Sequence, residues 1–414
     1  MSKKITIVAL VLLMTLLVSL PANAALTATS VEVRGAVANA TTGVPFTWDS
    51  ANFAGFWYDL KTNQSTETLS VQKYTGARSI DKENLWYNTT TAATKFKVAS
   101  EKSRTVEYGL DSTGKTPLST GGEYYDVVGW MAQKYVGING KNNKLAKLLL
   151  EQDTADKMTL TVGQTWEMGG GYTLTAQSID ARSNPRLAWF VLSKDGAKLD
   201  DKVIEAASST GNSTQGVYTY FANIGGESNV PIFVTYIDSV FSGATSDMVQ
   251  LKYTWLIDNT ITEVKSGDMY GIFKVDTENP LRLKSDSSVS LSKDSTVTLA
   301  GDMKFKISDS PDTDVRYYPV VVRNTQGTWE VRGSVANATT GVPVTWDSAN
   351  FAGFWYDLKT NQSTETLSVQ KYTGVRSIDK ENLWYNTTTA ATKFKVASEK
   401  SRTCLLYTSP SPRD

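Results

Sequence analysis

Seven asparagines lie in Asn-x-Ser/Thr motifs, the sequence pattern of N-linked glycosylation sites. Such sequons accept N-linked glycans when they lie on surface loops of an exported chain. A chain rich in Asn, Ser and Thr also produces several sequons by chance. The candidate glycosylation sites are Asn39, Asn63, Asn88, Asn212, Asn337, Asn361 and Asn386.

Other side-chain chemistry is scarce. The chain contains no histidine, and its single cysteine is Cys404. This composition excludes Ser-His-Asp and Cys-His triads, histidine-ligated zinc and a disulfide framework. A glycoside hydrolase needs only two carboxylates, but 42 acidic residues single out no pair. We therefore predict no catalytic residues, no cofactor and no enzyme activity.

Metal and nucleic-acid binding have weak support. Asp309, Asp312 and Asp314 lie close together, and carboxylate oxygens suit calcium. The EF-hand pattern is absent, so we interpret this segment as a solvated linker and predict no metal site. Acidic and basic residues balance at 42 each. Without a basic stripe to neutralise phosphates, we predict no nucleic-acid partner.

The N-terminus has the pattern of a secretory signal peptide. Lys3 and Lys4 precede an apolar run at residues 5–20, and Ala22-Asn23-Ala24 supplies small residues for cleavage. The run is shorter than the roughly 20 residues that span a bilayer. Residues 1–24 are therefore predicted to be removed from an exported protein.

A long internal repeat organises the rest of the chain. Residues 32–105 recur as residues 330–403, and only three of the 74 positions differ. A period of 298 residues indicates duplication of a whole domain. We predict a complete first copy at 25–307, a linker at 308–328 and the start of a second copy at 329–403. Residues 404–414 (CLLYTSPSPRD) are similar to translated sequencing-adapter sequence and are expected to be a non-native tail.

The repeat unit has an all-β pattern. Apolar and polar residues alternate at 94–98, 157–162, 251–255, 296–299 and 303–307, which is typical of antiparallel strands with one buried face. The length of the unit predicts two antiparallel β-sandwich subdomains that meet between residues 142 and 170. At most one short helix is expected, over Lys141–Glu151.

Several motifs carry a resemblance to a known family. VRGxVANATTGVPxTWDSANFAGFWYDL, ETLSV, RSID and LWYNTTT, present in both copies, are similar to the tandem-duplicated S-layer domain of methanogenic archaea. The resemblance implies a structural subunit of the cell-surface S-layer, with two β-sandwich subdomains per copy. It also implies self-assembly into a porous, hexagonal paracrystalline sheet that acts as cell envelope and molecular sieve. The family's C-terminal membrane anchor is expected beyond this sequence.

Two other functions remain open. An exported carbohydrate-binding protein or adhesin could stack sugars on Trp57, Tyr58, Trp86 or Tyr87, although one of each adjacent pair is expected in the core. The third possibility is the glycoside hydrolase. The incomplete second copy is expected to expose an apolar face and unpaired strand edges, and either to dock on the first copy or to stay loosely ordered.

Overall fold

The computed structural model describes residues 30–106, 122–206, 214–243, 245–323, 331–378 and 380–391. The predicted signal peptide, Asn212 and the predicted tail at 404–414 lie outside these ranges, so they stay predictions. The described chain is built almost entirely of antiparallel strands, as the alternating sequence pattern predicts.

The first part of the chain forms nine short strands and one short α-helix. Their bounds are β1 (Val31–Arg34), β2 (Ala38–Asn39), β3 (Phe46–Trp48), β4 (Tyr58–Asp59), β5 (Gln64–Ser65), β6 (Glu67–Val71), β7 (Ser79–Ile80), β8 (Leu85–Thr89), β9 (Ala92–Lys95) and α1 (Lys97–Lys102). No helix among the described residues combines the length and apolar character needed to cross a bilayer.

The middle of the chain forms longer strands. They are β10 (Tyr124–Trp130), β11 (Gln133–Ile138), β12 (Lys141–Glu151), β13 (Met158–Thr161), β14 (Thr165–Gly169), β15 (Tyr172–Asp180), β16 (Leu187–Lys194), β17 (Ala197–Glu205), β18 (Val217–Ile224), β19 (Glu227–Ser242) and β20 (Asp247–Glu263).

The last strands of the first copy are β21 (Met269–Tyr270), β22 (Phe273–Glu278), β23 (Leu281–Ser285), β24 (Val289–Ser290), β25 (Thr296–Ala300), β26 (Met303–Ile307) and β27 (Arg316–Arg323). The second copy contributes β28 (Val344–Trp346), β29 (Tyr356–Asp357), β30 (Gln362–Ser363), β31 (Glu365–Val369) and β32 (Leu383–Thr387). Short 3-10 helices occupy Ala40–Thr42 and Ala338–Thr340.

Two sandwiches make up the first copy. In the first sandwich, two sheets share one buried core. One is five-stranded (β1-β27-β26-β25, with β2 on β27) and the other is six-stranded (β21-β22-β23-β8-β6-β3). Aromatic rings fill the space between them: Trp48 lies 5.4 Å from Phe305 and 5.8 Å from Tyr317 between ring centroids. Such tilted and edge-on contacts stabilise a core beyond the area they bury.

The second sandwich packs a four-stranded sheet (β14-β15-β16-β17) near an eight-stranded sheet (β18-β19-β20-β12-β11-β10-β9, with β13 on β20). Its core includes Phe190, Tyr218 and Phe233. The ring centroids of Phe190 and Tyr218 lie 6.2 Å apart, and those of Tyr218 and Phe233 lie 5.3 Å apart. Alternating burial along β15 and β16 places one side of each strand in this core, because successive side chains point to opposite faces.

The sandwiches are nested rather than consecutive. Strands before residue 90 and after residue 264 build the first sandwich, and most of the chain between them builds the second. Strand β12 joins the two cores, because its adjacent residues Leu145 and Ala146 are buried in the first and second sandwich respectively. The predicted single break between residues 142 and 170 is therefore wrong.

The predicted helix over Lys141–Glu151 is also wrong. The segment is strand β12, paired with β11 and β20. Its leucines have good helix propensity, but burying Leu145 and Ala146 on opposite faces requires a strand. The described α-helix instead begins at Lys97, so the alternation predicted over 94–98 ends with β9 at Lys95.

The predicted linker over 308–328 is wrong for much of its length. Residues 316–323 form β27, an inner strand paired with β1 on one edge and β26 on the other. Tyr317 and Val321 on this strand are fully buried in the first sandwich. Because β27 completes the sheet that β1 begins, the first folded unit extends to at least Arg323. The other predicted domain boundaries stay predictions.

The second copy repeats strands β3, β4, β5, β6 and β8 of the first, but its described residues lack the sheets that cover them. Sheet β28-β31-β32 matches part of the six-stranded sheet, and β32 pairs only with β31 among the described residues. Leu383, Trp384 and Tyr385 are 55%, 50% and 57% exposed. The predicted apolar face is therefore confirmed. Side chains and turns, rather than paired strands, join the described part of this copy to the first.

Candidate functional site

Two surface clefts each include a carboxylate that is paired with a cation. One cleft of about 390 Å³ includes Glu151, which accepts from Lys134 Nζ at 2.6 Å and Tyr125 Oη at 2.5 Å. Another of about 420 Å³ includes Asp276, which is ion-paired with Arg282 at 2.6 Å. These carboxylates are held by cations within the fold, so neither is free to act as a general acid or base.

The acids of residues 309–314 point to different partners. Asp312 pairs with Arg78 at 2.6 Å, Asp309 pairs with Lys359 at 2.9 Å, and Asp314 pairs with Arg316. Among the described residues, no group of three or more His, Cys, Asp or Glu side chains converges as metal ligands. These three aspartates connect strands and copies instead of enclosing an ion.

The four aromatic residues considered for sugar stacking are already engaged. Tyr87 is fully buried, as expected for one member of its pair. Its neighbour Trp86 lies under Arg282, with 5.1 Å from the guanidinium carbon to the ring centroid. Trp57 packs against the core of the second sandwich, and the Tyr58 ring is covered by Arg332 at 5.0 Å. Trp57 and Tyr58 also line the cleft of about 390 Å³, whereas Trp86 and Tyr87 line neither of the two clefts.

The sequons differ in accessibility. Asn39 Nδ2 donates to Asp314 at 2.9 Å, and Asn88 Nδ2 donates to Thr68 at 3.3 Å from within β8. In both, the nitrogen that would carry a glycan is engaged. Asn212 lies outside the described residues. The exposed sequon asparagines are Asn63, Asn337, Asn361 and Asn386.

Arginine side chains make polar contacts between the two copies. Arg34 on β1 donates to the backbone carbonyl of Phe354 at 3.4 Å, and its guanidinium carbon lies 5.2 Å from the Tyr356 ring centroid. Burial lowers the pKa of the Arg34 guanidinium, and the nearby Asp347 carboxylate opposes that shift. An arginine keeps its charge in such a setting, so it acts as a donor and as a cation over the ring.

Arg332 of the second copy makes the corresponding contacts in reverse. It donates to the carbonyl of Phe56 at 3.3 Å and to that of Ser50, and it lies 5.0 Å from the Tyr58 ring centroid. Burial also lowers the pKa of Arg332, with Tyr58 and Asp49 opposing the shift. Each copy thus presents one arginine to a turn of the other copy.

Arg316 adds a third arginine contact. Arg316 lies on β27 and is only 4% exposed. Its guanidinium donates to the carbonyls of Leu358 at 3.2 Å and Lys359 at 2.7 Å. The equivalent turn of the first copy, Leu60 and Lys61, receives no side-chain donor from the described residues. Leu60 is accordingly 77% exposed.

Sequence reasoning missed all three arginines. Arg34 and Arg332 occupy equivalent positions of the repeat, 298 residues apart, which marks them as a pair. The repeat alone does not show that the two copies touch, nor through which strand. That information lies in the three-dimensional arrangement.

The fold and these contacts define a structural β-sandwich module: two filled cores, engaged carboxylates and a polar face that binds a copy of itself. Residues 37–309 and 335–408 match the family model described as S-layer protein. The first segment covers most of the complete copy, and the second covers the start of the second copy and continues to residue 408, within the predicted tail.

Three curated relatives agree with this match. The Major S-layer protein of Methanosarcina barkeri is 33% identical over 371 residues, which cover 87% of this chain and 51% of the relative. The Major S-layer protein of Methanosarcina acetivorans is 30% identical over 92% of this chain and 55% of its own length. That of Methanosarcina mazei is 30% identical over 93% and 56%. The chain belongs to the S-layer protein family, and it spans about half the length of the curated relatives it matches.

Proposed function

We propose that the chain is an exported structural subunit of a cell-surface S-layer, which assembles with copies of itself into a porous sheet. The observation that carries this proposal is the family match over both copies. The contacts of Arg34 and Arg332 support it, because through them one unit binds another. A contact between two units extends into a sheet only together with further contacts that do not close on themselves.

A non-enzymatic role is part of the same proposal. Glu151 and Asp276 in the two clefts are paired with Lys134 and Arg282. Tyr87 is buried, and arginines cover the rings of Trp86 and Tyr58. These contacts support a role through surface shape and charge. They favour neither the glycosidase nor the carbohydrate-binding alternative.

We also propose that glycans occupy the exposed sequons Asn63, Asn337, Asn361 and Asn386. Their side chains lie at the surface, whereas Asn39 and Asn88 donate hydrogen bonds inside the fold. Bulky, hydrated glycans at exposed positions leave both cores undisturbed.

Sheet formation tests the proposed function directly. The purified chain is concentrated on a lipid monolayer and in solution and is viewed by negative-stain electron microscopy. Ordered two-dimensional arrays are expected to appear as concentration rises. The same preparation is tested on a glycan array. Discrete particles at every concentration, together with saturable binding of one glycan, would contradict the proposal and favour the adhesin.

A further inference from the structure

The contacts between the two copies are reciprocal in sequence as well as in space. Arg34 contacts Phe354 and Tyr356, and Arg332 contacts Phe56 and Tyr58. Residues 332, 354 and 356 are the repeat equivalents of residues 34, 56 and 58. In an isologous interface, both partners use the same surface, so each contact from the first to the second is matched by the equivalent contact from the second to the first. Such an interface has two-fold symmetry.

The interface residues are the same in both copies. The three positions at which the copies differ are 36, 46 and 77 of the first copy, and none of them takes part in these contacts. The second copy therefore presents nothing to the first that another first copy could not present equally well. We call Arg34, Ser50, Phe56, Tyr58 and the Leu60-Lys61 turn the arginine face.

We propose that the arginine face is a self-complementary docking surface whose partner is a second copy of this unit, including the first copy of another chain. The proposal deepens the assembly role and rests on it, because it names one contact that pairs units. A two-fold contact closes on itself, so a sheet needs further contacts on other faces. Two first copies paired in this way are related by a true two-fold axis.

Arg316 makes its contact between the copies in one direction only. Arg316 donates to the Leu358 and Lys359 carbonyls, yet the equivalent Leu60-Lys61 turn receives no side-chain donor from the described residues. In a pair of complete units, each unit supplies one Arg316 to the other. Both turns are then occupied, and the exposed Leu60 is covered. Charge-assisted donors of this kind are among the stronger interface contacts.

The first unit is suited to a test on its own. Every residue of its two buried clusters lies between Ala36 and Val321, so residues 25–323 contain both cores without help from the second copy. The proposal predicts that this shortened chain dimerises in sedimentation experiments run from micromolar to millimolar concentration. The full chain dimerises less through this face, because its own second copy occupies the face at high effective concentration.

Two matched charge reversals locate the contact. Arg34→Glu is expected to weaken the dimer of residues 25–323 by about tenfold or more, since a central arginine anchor is lost. Arg282→Glu serves as the control, because the contacts of Arg282 are with Asp276 and Trp86 of its own copy. Amide hydrogen exchange at residues 56–61 is expected to slow on dimerisation of the unchanged unit.

A unit that stays monomeric throughout, or a dimer that Arg34→Glu leaves intact, would overturn the docking surface. Sheets are scored separately by electron microscopy on the full chain. Sheets together with a monomeric unit would remove this interface but leave the proposed function standing. A dimeric unit from a chain that never forms sheets would support the interface and contradict the S-layer role.

Discussion

Tyr87 donates a 2.7 Å hydrogen bond to Glu67 inside the first sandwich, and the equivalent bond from Tyr385 to Glu365 has the same length at the surface of the second copy. Tyr87 is fully buried, whereas Tyr385 is 57% exposed. The same hydrogen bond therefore occurs once in a buried core and once at the surface of a single chain. Comparing the two sites shows the effect of burial while the local geometry stays the same.

This pair predicts very different costs for the same substitution. Tyr87→Ala removes a ring packed 5.8 Å from Trp130 and leaves a cavity, which is expected to lower the free energy of unfolding by about 4 kcal/mol. Tyr385→Ala removes an exposed ring, with an expected cost below about 0.5 kcal/mol. Urea denaturation followed by tryptophan fluorescence measures both. Equal costs would show that the second copy is as well packed as the first.

Glu67 predicts a pH dependence of stability. Burial raises the pKa of this carboxyl to about 7, against hydrogen bonds from Ala132, Tyr87 and Trp57 that lower it. Because the folded state holds the proton more tightly than the unfolded state, the stability contribution is fully present below about pH 4.5 and is lost as the pH rises through about 7. The shift corresponds to on the order of 3 kcal/mol.

The matched variant isolates this effect. The Gln side chain of Glu67→Gln cannot ionise. As pH rises from about 5 to about 8, the unchanged chain is therefore expected to lose more free energy of unfolding than the variant. Any constant loss from an altered hydrogen bond cancels in that comparison. Parallel pH profiles for the two proteins, from denaturant titrations, would show that Glu67 does not titrate in this window.

Glycan occupancy can be tested on two sequons with the same local sequence. Asn88 and Asn386 both lie in LWYNTTT, but Asn88 lies within β8 between two neighbouring strands and Asn386 is exposed on β32. Expression in a glycosylating archaeal host, followed by glycopeptide mass spectrometry, is expected to find sugar on Asn386 and none on Asn88. Equal occupancy would indicate that modification precedes folding.

Much of the fold could be predicted from local pattern. The alternating segments at 157–162, 251–255, 296–299 and 303–307 all contain strands, because a half-buried strand shows its period of two directly in sequence. The candidate site could be predicted less well. The sequons are visible as motifs, but their burial is not.

The errors have one physical source, which is pairing between distant parts of the chain. Strand β27 pairs with β1 across nearly the whole first copy, so the polar segment at 308–315 leads into a core strand although its composition is that of a linker. Strand β12 owes its form to β11 and β20, against the helix propensity of its leucines. The role of Arg34 depends on a copy 298 residues away. Local sequence carries no signal for such partners.

Among the described residues β32 pairs on one edge only, which predicts that a peptide can complete the second copy. In the first copy, β23 pairs with β8 through Leu281 opposite Thr89 and Leu283 opposite Tyr87. A peptide with the sequence of residues 273–285, the β22-β23 hairpin, is expected to add to the equivalent edge of β32 by strand addition. Amide exchange at residues 383–387 should then slow. A peptide with Leu281→Asp and Leu283→Asp keeps the length but cannot bury its apolar face, so it should have no effect. Equal protection by both peptides would mean that the edge pairs without regard to the sandwich face, and no protection by either would mean that β32 is already covered.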